Sequence, residues 1–398
     1  MRNLSAKIAC ALLAVSLFTA SMSGCGKETA FDGTEEAFVI DGESVNVGKA
    51  NFLLRFQQAT MMNYYAMFGQ NTSALWSTAT EDGTYGDQFK ADMLESIEKM
   101  YLLKSHADEY NVSLSEDEIA KADAAADAFL SANDKEVLKK LGVTKEDVSE
   151  ILQLYVYQNK MADLMTADTN TEVSDDEAAQ TSITYVKVST AGTETDKDGK
   201  TIELTDKEKA EKEELAKKVL EKVQASEDVA NADMSALAKE VDESLTATTS
   251  NYGSDDTTTD EVLKTAAGEL KDGEVNSKVL EGTNGGGYYV LRLDKAFDQE
   301  KTEQKKTEIV NTRKQEKYNE ILDGWLKDAE KKTTEAWDQI KVTDKDVYTF
   351  KQAESTGTTG TDSNTGSTSS SSTESSSSVS SSSDSGSTSS SSQEGTDE

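Results

Sequence analysis

Leu94-Glu95-Ser96-Ile97-Glu98-Lys99-Met100-Tyr101-Leu102-Leu103 reads as one helix, and Tyr110-Asn111-Val112-Ser113-Leu114-Ser115-Glu116-Asp117-Glu118-Ile119 reads as the start of the next. From Phe89 onward, Met93, Leu94, Ile97, Met100, Tyr101 and Leu103 recur at three- and four-residue intervals, which lines one face of an α-helix. Ser115 with Glu118 has capping-box form, in which the hydroxyl accepts from the third helical N–H and the carboxylate reaches back to the cap. Thr144 with Asp147 and Ser174 with Glu177 repeat it, and Leu114, Val143 and Val173 stand just outside. Leu114 with Ile119 and Val143 with Val148 have the spacing of hydrophobic staples. These signals predict a bundle of several helices with well-specified starts.

Toward the N-terminus, Phe38-Val39-Ile40, Asp41-Gly42 and Ser44-Val45-Asn46-Val47 predict a β-hairpin closed by a tight turn. A long helical stretch follows, holding Phe52, Leu53, Phe56, Met61, Met62, Tyr64, Tyr65, Met67 and Phe68. Such residues form a helical core face. Met and aromatic side chains also adapt to varied apolar partners, so Phe52, Phe56, Met61, Met62, Tyr64, Tyr65, Met67 and Phe68 are candidates for gripping unfolded chains. Both roles can belong to one helix.

The first residues carry Arg2 and Lys7, then an apolar run from Ile8 to Ala20. The run is about thirteen residues long, short of what a bilayer crossing needs, and reads as a cleavable export signal. Met22-Ser23-Gly24-Cys25 resembles the lipobox of bacterial lipoproteins, which implies acylation at Cys25, palmitate among the acyl chains, and an anchor on the outer face of the cytoplasmic membrane. Cys10 falls in the removed segment 1–24, so one cysteine remains and no internal disulfide can form. Residues 25–36 read as a polar tether.

The chain of 398 residues has 75 acidic and 41 basic side chains, a formal charge of −34, which argues against a nucleic-acid partner. No proline occurs, so folding has no slow prolyl step of its own. Ser, Thr and Gly dominate from about Ser355 to Glu398, a composition with almost nothing to bury and therefore expected to be disordered. Roughly 315 residues lie between the two polar ends, enough for two domains. His106, on the helix that begins near Phe89, is the only histidine, and no Ser/His/Asp or Cys/His set surrounds it. No metal or cofactor is expected.

Beyond the helices an alternating strand runs from Ile183 to Val188, followed by a charged loop from Thr193 to Lys200. A helix from about Thr205 to Val223, a short one from Met234 to Val241, a loop around Tyr252-Gly253 and a helix from Asp260 to Ala267 come next. Leu270-Lys271-Asp272-Gly273-Glu274-Val275 is similar to the turn before the last strands of parvulins, and Gly287-Tyr288-Tyr289-Val290-Leu291-Arg292-Leu293 resembles their closing strand. The stretch Thr302–Lys331 carries an apolar stripe of Ile309, Tyr318, Ile321, Leu322, Trp325 and Leu326. Trp337, Ile340, Val342, Val347, Tyr348 and Phe350 are expected to finish the core, the last few as a strand beside the opening hairpin.

In their order, the blocks 94–103, 110–119, Leu141-Gly142-Val143-Thr144-Lys145-Glu146-Asp147-Val148, the helix through Leu164, and Val173-Ser174-Asp175-Asp176-Glu177 resemble the SurA-like N-terminal domain of PrsA-type foldase lipoproteins. The resemblance covers roughly residues 37 to 350. It implies an α+β protein: a mostly helical chaperone domain (37–180), an inserted parvulin-like rotamase domain (181–297), and a returning helix and strand (298–352) before the Ser-rich tail (353–398).

Parvulins place two histidines in the site, one on the first strand and one on the last, with a Met and Phe pocket for the proline ring. Here Tyr185 and Tyr289 stand at the histidine positions, and Thr259, Leu263 and Gly268 at pocket positions, with only Leu263 apolar. The family name implies a peptidyl-prolyl isomerase, but these residues do not supply its imidazoles or pocket. Two tyrosines could instead keep a hydrogen bond between the strands. The reading is therefore an extracytoplasmic foldase or holdase whose partners are unfolded or nascent secreted polypeptides, held at the membrane through Cys25 and compatible with a homodimer. An isomerase with an atypical site and a scaffold for one dedicated envelope partner are the alternatives.

Overall fold

A computed structural model describes residues 32–192, 202–283, 286–345 and 348–351. The export signal, Cys25, most of the tether, the loop Thr193–Lys200, Val347 and the Ser-rich tail lie outside the described residues. Among those described, no helix is long and apolar enough to cross a membrane.

The predicted hairpin forms from β1 (Glu36–Ile40) and β2 (Glu43–Asn46), antiparallel with Ile40 opposite Glu43. Asp41 and Gly42 both take positive φ, 45° and 80°, the backbone hand that a two-residue hairpin turn requires. Asn46 then caps α1 (Val47–Met67) by accepting the Lys49 N–H at 2.9 Å. The short hairpin β3 (Ala79–Thr80) and β4 (Gly83–Thr84) leads to a capping box, Thr84 with Asp87, that starts α2 (Tyr85–Ser105). The helices α3 (Glu116–Ala132), α4 (Lys135–Leu141), α5 (Lys145–Met165) and α6 (Asp175–Ala178) follow.

Both halves of the capping box are present at Ser115/Glu118 and at Thr144/Asp147. At Ser174 only one half forms: its hydroxyl accepts the Glu177 N–H, while the Glu177 carboxylate turns to Arg313. A cationic partner outcompetes a single backbone donor there, because the charge-assisted bond is the stronger. Val143 and Val148 are both buried in the core, whereas Ile119 stays 37% exposed, so the second staple is the one that packs.

The β lobe is a four-stranded antiparallel sheet in which β5 (Thr181–Val188) and β8 (Tyr288–Lys295) are central and β6 (Ala247–Tyr252) and β7 (Leu280–Glu281) form the edges, in the order β6-β5-β8-β7. In chain order it is assembled from β5, α7 (Asp206–Gln224), α8 (Met234–Lys239), β6, α9 (Glu261–Ala267), β7 and β8. Strand β6 runs through Tyr252, so the loop expected around Tyr252-Gly253 begins at Gly253. The strand's Ala-Thr-Thr-Ser-Asn-Tyr sequence is largely exposed at the sheet edge, so it lacks the apolar alternation that marks a strand. One sheet face packs Val186, Val188 and Val290 against Val219, Leu220 and Val223 of α7. The other packs Ile183, Leu291 and Leu293 against Leu263 and Ala267 of α9.

The chain returns through α10 (Gln299–Asp328), β9 (Lys331–Thr333) and α11 (Glu335–Gln339). β9 pairs with β1, Val39 opposite Lys332, so the order of the first sheet is β2-β1-β9. The strand beside the hairpin thus comes directly after the long helix, not at Tyr348–Phe350 as the apolar residues there implied. Lys331, Lys332 and Thr333 are all exposed, held by the backbone ladder and by an ion pair from Lys331 to Glu98 at 3.9 Å. Trp337, in α11, and Ile340, Val342 and Phe350, in irregular chain, do fill the core. Arg55 donates to the Lys341 carbonyl at 2.7 Å, and Asn133 both donates to the Lys351 carbonyl at 3.0 Å and accepts its N–H at 2.7 Å.

Lys90 lies against this returning segment, its ammonium donating to the Trp337 carbonyl at 2.7 Å and sitting 4.9 Å from the Trp337 ring centroid. Burial first, then repulsion from Lys341, lowers its pKa to about 8. The folded chain therefore holds fewer protons at this site than the unfolded chain between about pH 8 and the ordinary lysine value. The cost of burying the charge is fully present below pH 8 and fades as pH rises through that window. Lys90→Met removes the titration. The thermal midpoint of the parent relative to Lys90→Met is expected to be flat from pH 6 to 7.5 and to climb from pH 8 to 10; a flat difference throughout would contradict the assignment.

Candidate functional site

The register of the β lobe decides which predicted residues meet. Tyr185 pairs with Leu291 and Lys187 with Tyr289, so Tyr185 and Tyr289 are diagonal neighbours on the face that carries α9. Their rings meet edge to face at 5.6 Å. No hydrogen bond joins their hydroxyls among the described residues, so an aromatic contact takes the place of the inter-strand hydrogen bond. Lys187 sits with its ammonium 5.5 Å from the centroid of the Tyr289 ring.

Thr259 and Leu263 join the two tyrosines around a cleft of about 490 Å³, which Lys187, Ser250, Asp260, Glu261 and Thr283 also line. Gly268 is absent from that lining; it ends α9 with ordinary right-handed geometry, φ −64°. Leu263 is 2% exposed and belongs to the core with Ile183 and Leu291, so its apolar surface is spent inside the lobe. Apart from the Tyr185 and Tyr289 rings, what remains of the lining is mainly hydroxyl, carboxylate and ammonium. Such a lining stabilises a bound proline ring poorly, because apolar burial is the main source of that stabilisation.

The loop that walls the cleft is tied down from within. Asp256 accepts the Thr258 hydroxyl at 2.7 Å and the Thr259 N–H at 2.9 Å, and Lys264 lies 3.4 Å from it. The Thr258 hydroxyl, first among these donors, holds the Asp256 carboxyl well below the usual range. Asp260 caps α9 through the Val262 N–H and also accepts from the Thr283 hydroxyl at 3.0 Å, binding this loop to the segment before β8. At the start of β8, Gly287 has φ +126°, and a Cβ there would lie 2.4 Å from the Val188 carbonyl, so only glycine fits. Sequence reading missed Lys187, Asp260 and Thr283. The run Thr257-Thr258-Thr259-Asp260 was legible as a helix start, but its meeting with Thr283 is a tertiary fact.

A second cleft, of about 450 Å³, opens where the β lobe joins α10 and is lined by Gln180, Asn251, Asp255, Lys301, Lys305 and Glu308, among others. The joint itself is polar and buried. Ser182 donates to Asp298 at 2.8 Å, and the Gln180 N–H donates to the Thr302 hydroxyl at 3.1 Å.

The candidates on α1 divide sharply. Phe52 and Phe56 are 3% and 8% exposed and pack against Phe129, edge to face, and Phe350, so they are core and not a client surface. Their place in the first turns of α1 puts them under α3 and the returning segment. Met61 and Met62 are half-buried against the same core. Past them the helix leaves the bundle: Tyr64, Met67 and Phe68 are 59%, 80% and 62% exposed. Tyr64 contacts both Phe68, at 4.9 Å between ring centroids, and the half-buried Tyr65, at 6.1 Å. The structure thus separates a core half from an exposed half in what the sequence presented as one apolar stretch.

His106 is the C-cap of α2, one residue beyond the helix. It stacks on Trp325 of α10 at 4.0 Å with the planes 3° apart, and its Nδ1 lies 2.7 Å from Glu109. This pins the returning helix to the bundle.

No protein-family model and no curated protein matches the chain. Among solved structures it is similar to the foldase protein PrsA of Lactococcus lactis, with 14% identity, 76% of this chain and 96% of that chain covered, and a TM-score of 0.29. The peptidylprolyl isomerase PrsA of Bacillus cereus is 19% identical over 63% of this chain and 89% of its own, with a TM-score of 0.26. The foldase protein PrsA of Streptococcus pneumoniae is also 19% identical, over 63% of this chain and 92% of its own, with a TM-score of 0.27.

Proposed function

We propose that this chain is an extracytoplasmic foldase or holdase, anchored to the outer face of a bacterial membrane through lipid on Cys25, that shelters unfolded secreted polypeptides. The observation that carries the reading is the exposed Tyr64, Met67 and Phe68 at the end of an otherwise buried helix. Large apolar side chains grouped at a surface favour a partner that covers them. The cleft at Tyr185 and Tyr289 supports a binding role over catalysis. The ordinary prolyl barrier is close to 20 kcal/mol, and lowering it takes a desolvated pocket and aimed donors. The cleft has hydroxyls and charges where an apolar wall is needed.

Two measurements on the full chain test this. With a short X-Pro peptide, the isomerisation rate is expected to stay within about twofold of the uncatalysed rate. With several unrelated unfolded proteins, aggregation is expected to be suppressed at near-stoichiometric amounts. Acceleration that disappears in Tyr185→Ala or Tyr289→Ala would establish an isomerase instead. Protection of a single protein and no other would establish a dedicated scaffold.

A further inference from the structure

Between Arg55 and Lys90 the chain has no lysine or arginine, yet it holds Met61, Met62, Tyr64, Tyr65, Met67 and Phe68, then Glu81, Asp82 and Asp87. The β3–β4 turn carries Glu81 and Asp82 and leads into Tyr85, whose hydroxyl reaches Met61 Sδ at 3.8 Å. Tyr65 and Asp92 both face that hydroxyl. The exposed end of α1 is an aromatic and thioether surface; Asp92 lies near its Tyr65, and the chain between Arg55 and Lys90 supplies no cation.

We propose that this tip takes unfolded segments in which lysine or arginine flanks apolar residues, an inference that rests on the foldase reading. Ring faces attract ammonium and guanidinium groups, and the Tyr64–Phe68 and Tyr64–Tyr65 contacts present several rings together. The acidic residues of this cation-free segment and the formal charge of −34 attract cationic segments and repel acidic ones. The chain's own Ser-rich end is a poor occupant: from residue 354 onward Val379 is its only aliphatic residue, and it has no aromatic one. A bilayer rich in anionic headgroups is repelled by the same carboxylates.

The test uses the full chain and two short fluorescent peptides with identical Leu and Phe positions, one spaced by arginine and the other by glutamate, read by anisotropy. The arginine peptide is expected to bind about tenfold more tightly, and to lose most of that advantage between roughly 0.05 M and 0.5 M salt. Combined Tyr64→Ala, Met67→Ala and Phe68→Ala substitution is expected to weaken it at least about fivefold without moving the thermal midpoint, since all three are exposed. Met67→Lys places a cation on the tip and is expected to narrow the preference for arginine over glutamate, a change that unfolding cannot mimic. Equal affinity for the two peptides, or binding unaffected by these substitutions, overturns the proposal. So does sedimentation showing that the parent pairs with itself through this tip and the triple variant does not. If the parent protects unrelated proteins from aggregation but shows no peptide preference, this inference alone fails. If it protects none, the foldase reading fails whichever peptide binds.

Discussion

Phe350→Ala is expected to destabilise the helical lobe by about 3–5 kcal/mol, the range for deleting a buried phenylalanine from a packed core. Phe350 is 3% exposed and closes a cluster with Phe52 at 6.0 Å, Phe56 at 5.6 Å and Phe129 at 5.9 Å. These rings come from α1, α3 and the end of the described chain. The alanine variant leaves a cavity among three rigid elements, and the returning segment is tied by Asn133 and Arg55, so collapse around the void is limited. The three tryptophans, Trp76, Trp325 and Trp337, lie in the bundle and in α10 and none in the β lobe. Urea unfolding followed by their fluorescence therefore reports the helical part selectively. A shift under about 1 kcal/mol would mean that the end of the chain is an accessory to the core and not part of it.

How much of this was readable beforehand follows from how local each signal is. The hairpin, the two complete capping boxes at Ser115 and Thr144, and the helical periodicity from Phe89 are set by residues within a few positions of one another, and the structure has them in place. β6 and β9 were not legible. Their side chains are not buried, and the ladders that hold them join β9 to a strand at the other end of the chain and β6 to β5 beyond two intervening helices. The α1 stretch was legible as apolar but not as divided, because Phe52 is buried by Phe129 and Phe350, while nothing in the described chain covers Phe68. At the cleft, Tyr185, Tyr289, Thr259 and Leu263 were named in advance and meet, while Gly268 stands apart. Lys187 and Thr283 were not named, because only strand register brings them there.

Asp147→Ala is expected to cost about 3 kcal/mol, more than loss of one helix cap, because Asp147 organises two helix starts at once. Its Oδ2 accepts the Thr144 N–H at 2.9 Å and hydroxyl at 2.8 Å, completing the cap of α5. Its Oδ1 accepts from Asn46 Nδ2 at 2.8 Å, and Asn46 is itself the cap of α1. The carboxylate is 4% exposed as a residue, so water cannot replace it freely at the donors left behind. A lost cap is worth about 0.5–2 kcal/mol, and each buried donor left unpaired adds about 1–3 kcal/mol. Asn46→Ala removes the same link from the other side. Thermal or urea unfolding of the two single variants and the double variant forms a cycle, in which a coupling of at least about 0.5 kcal/mol is expected. Additive losses would show that the two caps act independently. Asp147→Asn keeps the volume and can still accept one bond, so it is expected to fall between the parent and Asp147→Ala.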